Sequence, residues 1–220
     1  MRILNLALFS LIALLFSACA KPQPYDYSEF LSAKPKSILV LPPTNQTTDI
    51  KAPASILANS LIPLNEAGYY VYPIALVYDT FKNNGISEAD EIAKIPLPKL
   101  REIFKADSVL YLDITDYGTK YVLLSSYTIV GVSAKLFDLR SQKLLWQKSA
   151  YAQTDSGGDN SGIVGMLISA VVTQIANSIS DASYDLANQA MWQLYAPDCS
   201  NCLLRGYRAK HFGEDAQLKN

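Results

Sequence analysis

Apolar and polar positions change period along this chain, and the changes mark out its elements. Residues 37–41, SILVL, form a continuous apolar run closed by Pro42 and Pro43. That is the pattern of a strand buried on both faces and ended where proline removes the next donors. Over residues 52–67, Ile56, Leu57, Leu61 and Leu64 recur at steps of three and four. They predict a helix that Pro63 should kink or end and that Gly68 closes. Residues 69–74, YYVYPI, read as a second strand. A strand, a helix and a strand in that order imply a right-handed parallel unit, since parallel neighbours need a crossover. Two short helical segments follow over residues 75–83 and 87–93, divided by Asn84-Gly85, and Pro96 and Pro98 lead into a third over 99–105.

Past Asp107 the period drops to two. Leu110, Leu112 and Ile114 share one face, while Val109, Tyr111 and Asp113 share the other. Gly118-Thr119 is expected to turn the chain into a long alternating segment with Val122, Leu124, Val130, Val132, Ala134 and Leu136 on one side. So long a strand predicts a bend or bulge near Gly131. Residues 138–142, DLRSQ, make a turn, and residues 143–153 return as a partner strand with Leu144 and Trp146 on one face. After the break TDSGGDNSG, residues 163–194 have helical periodicity, apolar nearly all round as far as Ala176 and amphipathic beyond. The fold class expected is α/β: a mixed sheet with an N-terminal parallel β-α-β unit, helices, three antiparallel strands and a long C-terminal helix.

A helix lying on one sheet hides a stripe of roughly 100° or somewhat more. Either the segment from Ile163 is a wholly buried core helix, or Val164, Leu167, Val171 and Ile175 meet a second copy, which predicts a homo-oligomer. The remainder, residues 197–220, has no periodicity and should cover a face of the domain or fray.

The start of the chain carries a different signal. Arg2 precedes an apolar run over residues 3–16, shorter than the roughly 20 residues that a bilayer span needs, and residues 16–19 read FSAC. This resembles a bacterial lipobox, in which cleavage before a cysteine leaves that residue diacylated. The organisation expected is a signal peptide over 1–18, a lipidated extended tether over 19–36 with three prolines, one α/β periplasmic domain over 37–196, and an irregular tail over 197–220. The membrane is then a partner through the lipid, palmitate or a similar chain, on Cys19. Ala20 stands where Asp would signal inner-membrane retention in many Gram-negative species, so the outer membrane is expected, with the domain facing the periplasm or the cell surface.

Charge and composition remove several functions. The net charge is −1 with a pI of 5.8 and no basic run, which excludes the footprint of a nucleic-acid binder. His211 is the single histidine and no G-x-S-x-G elbow exists to supply a nucleophile, so acyl-transfer chemistry is not expected. A zinc site would have to draw on Cys199, Cys202, His211 and Asp215, without the usual pair of separated ligand pairs. No metal and no cofactor are predicted. Alternation sets Asp113 and Asp116 on opposite faces, so these carboxylates and Asp138 read as strand-end caps rather than as a catalytic cluster.

Two stretches retain candidate chemistry. Cys199 and Cys202 have C-x-x-C spacing, open to a local disulfide, an unpaired or metal-binding pair, or redox catalysis. Their place in a tail, instead of a strand-to-helix junction, favours the disulfide. Pro43, Thr44, Asn45, Gln46 and Thr47 come directly after the first parallel strand at its carboxyl end, where open α/β sheets bind ligands. Their neutral donors and acceptors suit a glycan or peptide. Equally, they are the residues that would cap the next helix and satisfy the turn.

The stretches ILVLPPTNQTTDIKA, NEAGYYVYPIALVYDTFKNNG, IPLPKLREIFKADSVLYLDITDYGTKY, AKLFDLRSQKLLW and NSGIVGMLISAVVTQIANSISDASYD together resemble a bacterial lipoprotein family with no established reaction. It is typified by a meningococcal lipoprotein antigen and often encoded beside a homologue of CsgG, the curli-secretion channel protein. The resemblance implies a fold similar to the periplasmic domains of CsgG and of the amino-terminal part of TolB, no catalytic residues, and a CsgG-like lipoprotein as partner. The tail, with its cysteine pair ahead of LLRGYR, departs from the family pattern. The function expected is that of a non-enzymatic, lipid-anchored envelope protein working by protein contact, as an accessory or assembly subunit of a surface or secretion apparatus. The alternative is a periplasmic glycan- or peptide-binding module that uses the loop after the first strand.

Overall fold

The apolar run of the first strand and the residue after it, Ile38 to Leu41, feeds two cores at once. In a computed structural model describing residues 24–122, 125–155 and 182–219, Ile38 and Val40 point to one face of a sheet and Leu39 and Leu41 to the other, all four almost fully buried. Alternation across a strand covered on both sides produces that division. Burial of each such side chain stabilises the fold by roughly 1.5–3 kcal/mol.

The sheet is mixed. Its strands are β1 (Ser37–Val40), β2 (Thr44–Asn45), β3 (Tyr70–Val71), β4 (Ser108–Val122), β5 (Ser125–Asp138) and β6 (Leu144–Asp155). Their order is β3-β1-β4-β5-β6, with β2 alongside β4. β1 pairs in parallel with both β3 and β4, while β4, β5 and β6 are antiparallel neighbours. One face packs under α1 (Ser28–Ala33), α2 (Ala52–Glu66) and α6 (Ala182–Tyr195), and the other under α3 (Ile74–Asn83), α4 (Ala89–Ile92) and α5 (Leu97–Phe104). α2 runs on through Pro63 instead of ending there. It is tied to α6 where Asn188 donates to the Asn59 side chain at 3.0 Å and the Ser60 hydroxyl meets the Met191 sulfur.

The antiparallel half departs from the expected course at its turn and at two shifts of register. Gly118 and Thr119 do not turn the chain: they stay paired with Ile129 and Thr128 inside β4, and the reversal falls between Val122 and Ser125. Gly118, with φ +103°, lets a strand bend without ending it. The irregularity expected near Gly131 sits on its partner, where Thr115 is an extra residue between the pairs Ile114–Val132 and Asp116–Gly131. Ile114 and Tyr117 consequently both reach the α2/α6 core, and Asp116 returns to the face of Asp113 instead of opposing it. A second shift at Leu145 buries both Leu145 and Trp146 and leaves Leu144 at the surface.

The segment expected as an extended tether is folded from Tyr25 onward. Tyr27 and Phe30 are buried in the α2/α6 core, because α1 gives these rings a face to hide against the sheet. The tail covers the same side of the domain, with Cys202, Leu203 and Leu204 buried. Gly68 and Gly206 meet back to back: a Cβ on Gly206 would stand 2.4 Å from the Gly68 oxygen. Residues 163–175, including Val164, Leu167, Val171 and Ile175, lie outside the described residues, as does Cys19.

Candidate functional site

Two places gather the polar residues singled out by sequence. The first is the loop after β1. Pro42 and Pro43 have no N–H, so the parallel ladder lapses after Leu41 donates to the Leu110 carbonyl and resumes as β2, where Thr44 stands opposite Asp113. Asp113 organises the turn beyond β2. Its carboxylate accepts from the Thr44 hydroxyl at 2.7 Å and from the Gln46 amide. Asn45 uses both ends of its side chain: its oxygen accepts from the Thr47 N–H and hydroxyl, and its nitrogen donates to the Asp49 carbonyl. The Asp49 carboxylate in turn accepts from the Lys51 N–H at the entrance to α2. Pro43, Thr44, Asn45, Gln46 and Thr47 are thus brought together at the carboxyl end of β1. Most of their hydrogen-bonding capacity is spent on shaping the turn, and Gln46 and Thr48 face outward.

The second place is the tail. Cys199 and Cys202 are joined in a disulfide, Cys199 half-buried and Cys202 almost fully buried. The loop they close is held from three sides. Trp146 donates its indole N–H to the Asn201 carbonyl at 2.9 Å, Tyr27 donates its hydroxyl to the Cys202 carbonyl at 2.5 Å, and Lys148 reaches the sulfurs at 3.3 and 3.5 Å. Burial pushes the Tyr27 phenol up to about 12, so it remains a donor throughout the physiological range. Burial likewise lowers the Lys148 ammonium from its ordinary value.

Arg205 then pins the end of the tail by pairing with Asp198 and with buried Asp215. His211 lies at the surface beside Glu214, 3.0 Å away. The components weighed for a zinc site are therefore engaged elsewhere, and among the described residues no group of three or more His, Cys, Asp or Glu side chains is placed to hold a metal ion.

A third feature was not singled out by sequence. On the edge strand β3, the Arg208 guanidinium carbon lies 5.5 Å from the centre of the Tyr70 ring and 5.2 Å from that of Tyr207, and Lys36 approaches Tyr207 at 5.9 Å. Tyr70 and Tyr207 are each more than a third exposed. Only the folded tail brings Arg208 to β3, so no local pattern could have revealed the cluster. For Lys148 a signal did exist: it has the parity of Trp146, Ala150 and Ala152, a lysine on the buried face of its strand.

Comparison with known proteins places this geometry. A family described as "Putative lipoprotein GNA1162-like" matches residues 25–208. The chain belongs to this family. It is 43% identical over 208 residues, 94% of this chain and 97% of the other, to the Neisseria meningitidis serogroup B protein named "Putative lipoprotein NMB1124/NMB1162". The crystal structure of lipoprotein GNA1162 from Neisseria meningitidis is 49% identical, covers 66% of this chain and 100% of its own, and superposes with a TM-score of 0.54. The GNA1162-like match begins at Tyr25, where the packed part of the N-terminal segment begins, and ends at Arg208, so it takes in the cysteine loop and leaves Asp215 outside. Membership in a lipoprotein family supports attachment to an envelope membrane. Neither relative carries an enzymatic activity in its name.

Proposed function

We propose that this protein is lipidated on Cys19, resides in the outer membrane, and works there without catalysis, by protein contact, as an accessory or assembly subunit of a surface or secretion apparatus. The observation that carries this reading is the cluster of Arg208, Tyr70 and Tyr207 on the β3 edge. Tyrosine and arginine are the residue types that dominate binding energy at protein interfaces. Here the arginine is held over two rings before any partner arrives, so less side-chain freedom remains to be lost on binding. A CsgG-like lipoprotein is the partner to seek first, and a second copy of the chain meeting through Val164, Leu167, Val171 and Ile175 is the contact to seek within the assembly.

Crosslinking in intact cells followed by affinity purification tests the proposal. The expected result is a stoichiometric protein partner that is lost in Arg208→Glu while the variant keeps its fold and membrane association. Retention of the purified domain on peptidoglycan or another envelope glycan, unaffected by Arg208→Glu and lost on substitution of Gln46 and Thr48, would overturn it in favour of a binding module at the loop after β1.

A further inference from the structure

We propose that the Cys199–Cys202 disulfide is a thiol–disulfide exchange site, opened by a dithiol reductant through Cys199, with Lys148 stabilising the thiolate that leaves. Lys148 stands beside both sulfurs. Its ammonium is half-buried, and its polar contacts are the Gln193 carbonyl at 2.8 Å and the two sulfurs at 3.3 and 3.5 Å. Among the described residues no carboxylate pairs with it. Sulfurs joined in a disulfide are neutral and accept hydrogen bonds weakly, so a desolvated cation gains little from them. A thiolate at the same position is a full counter-charge. The ammonium therefore favours the state in which the S–S bond has been broken over the state in which it is intact, and such differential stabilisation speeds the departure of a leaving thiolate.

Burial fixes the direction of attack. Cys199 is half-buried in a loop at the surface, whereas Cys202 is 1% exposed behind the tail. A thiolate of the reductant reaches the Cys199 sulfur and forms a mixed disulfide. The Cys199–Cys202 bond breaks, and Cys202 leaves as a thiolate 3.3 Å from the Lys148 ammonium. The second thiol of the reductant, after giving up its proton to solvent, attacks its own sulfur in the mixed disulfide and releases Cys199 as a thiolate. The reductant ends as a disulfide, two electrons pass to the protein, and the two cysteines take protons from solvent. This makes the chain a substrate of a dithiol oxidoreductase, not an enzyme itself. Because Tyr27 and Trp146 bond to carbonyls of the cysteine loop, opening it loosens the strap that holds the tail to the core.

The test uses dithiothreitol on the folded protein without denaturant, with alkylation at timed intervals and mass spectrometry to count free thiols. Wild type should be reduced about tenfold faster than Lys148→Met, and Lys148→Arg, which keeps the charge, should remain within about threefold of wild type. Equal rates in wild type and Lys148→Met, or a disulfide that resists dithiothreitol until the protein unfolds, would overturn the proposal. A second measurement stands even if Lys148→Met folds poorly. In single-cysteine variants, the aromatic disulfide 5,5′-dithiobis(2-nitrobenzoate) should modify Cys199 in Cys202→Ser at least about tenfold faster than Cys202 in Cys199→Ser, and the reverse order would remove Cys199 as the point of attack.

Discussion

Single carboxylates hold the junctions of this fold, and Asp107 holds the most. One of its oxygens accepts from the Lys36 N–H, the Ser37 N–H and the Ser37 hydroxyl, and the other accepts from Arg140. It therefore ties the start of β1 to the start of β4 and to the β5–β6 turn. Hydrogen bonds to charged groups contribute about 1.5–3 kcal/mol each, and those lost together in a partly exposed site do not add. Asp107→Ala is expected to lower stability by about 2–3 kcal/mol in urea unfolding, with Asp107→Asn recovering part of it. A loss below about 0.5 kcal/mol would show that water replaces the carboxylate at little cost.

Asp198 acts at the same scale but through charge. Hydrogen bonds from Arg205 and from the Ala216 N–H hold its carboxyl at about 2, below the ordinary value of 3.8. A depressed carboxyl favours the folded state above its unfolded value and loses that contribution as pH falls through the folded value. The end of the tail should consequently stay docked down to pH about 4 and loosen between about 4 and 2. Because Asp198 is exposed, the effect should shrink in high salt. Carbon-detected NMR titration of the Asp198 carboxyl checks this, and a midpoint near 3.8 would remove the pairing in solution.

At the scale of elements, the tail is a strap rather than an appendage. Gly206 donates its N–H to the Ala67 carbonyl and Arg208 donates to that of Gly68, with the two glycine backbones in contact. Gly68 also has φ +91°, and a Cβ there would lie 2.4 Å from the Ala209 nitrogen. Gly68→Ala should cost well over the roughly 1–2 kcal/mol of left-handed backbone strain and expose the tail to limited proteolysis near Tyr207. Unchanged proteolysis would mean that the strap relaxes around the added carbon.

The parallel unit, the three helices before β4 and the count of antiparallel strands were all legible, because each rests on local periodicity, proline and glycine. The reversal at Val122 was not legible. Gly118 carries the composition of a turn, and only the pairing of Gly118 with Ile129 shows that it does not make one. The bulge at Thr115 likewise depends on β5, and one inserted residue reverses the inference from alternation for Asp116, further along β4, while Val130, Val132, Ala134 and Leu136 on β5 still share one core. At the candidate sites, sequence named the loop residues from Pro43 to Thr47 and the cysteine pair. It read Asp113 as a strand-end cap and not as the acceptor for Thr44 and Gln46, and it missed Lys148 and Arg208, which meet the cysteine loop and Tyr70 only across gaps that the fold closes.

At the scale of the whole molecule, the question is how the domain reaches its membrane. Among the described residues packing begins at Tyr25, whose hydroxyl accepts from the Gln147 N–H on the outer side of β6, and five residues, 20–24, lie between it and Cys19. An extended chain spans at most about 3.3–3.6 Å per residue, which limits the reach of a lipid on Cys19 to about 20 Å. The domain would then sit close to the bilayer, with β6 and α1 toward it and the Arg208 cluster on β3 at the opposite edge of the sheet, away from the lipid and open to a partner. No helix among the described residues is long and apolar enough to cross a membrane. The proposed lipidation of Cys19 with two or more acyl chains would exceed the threshold for stable anchoring without one. Cys19→Ala is therefore expected to move the protein from the membrane pellet to the soluble fraction, and sucrose-gradient fractionation of the wild type should place it with outer-membrane markers. Lengthening the segment before Tyr25 by about ten Gly/Ser residues separates anchoring from reach: membrane association should persist while crosslinking through the β3 edge changes if the partner is held at a fixed height. A Cys19→Ala variant that still pellets with membranes would show that the domain binds them through its own surface.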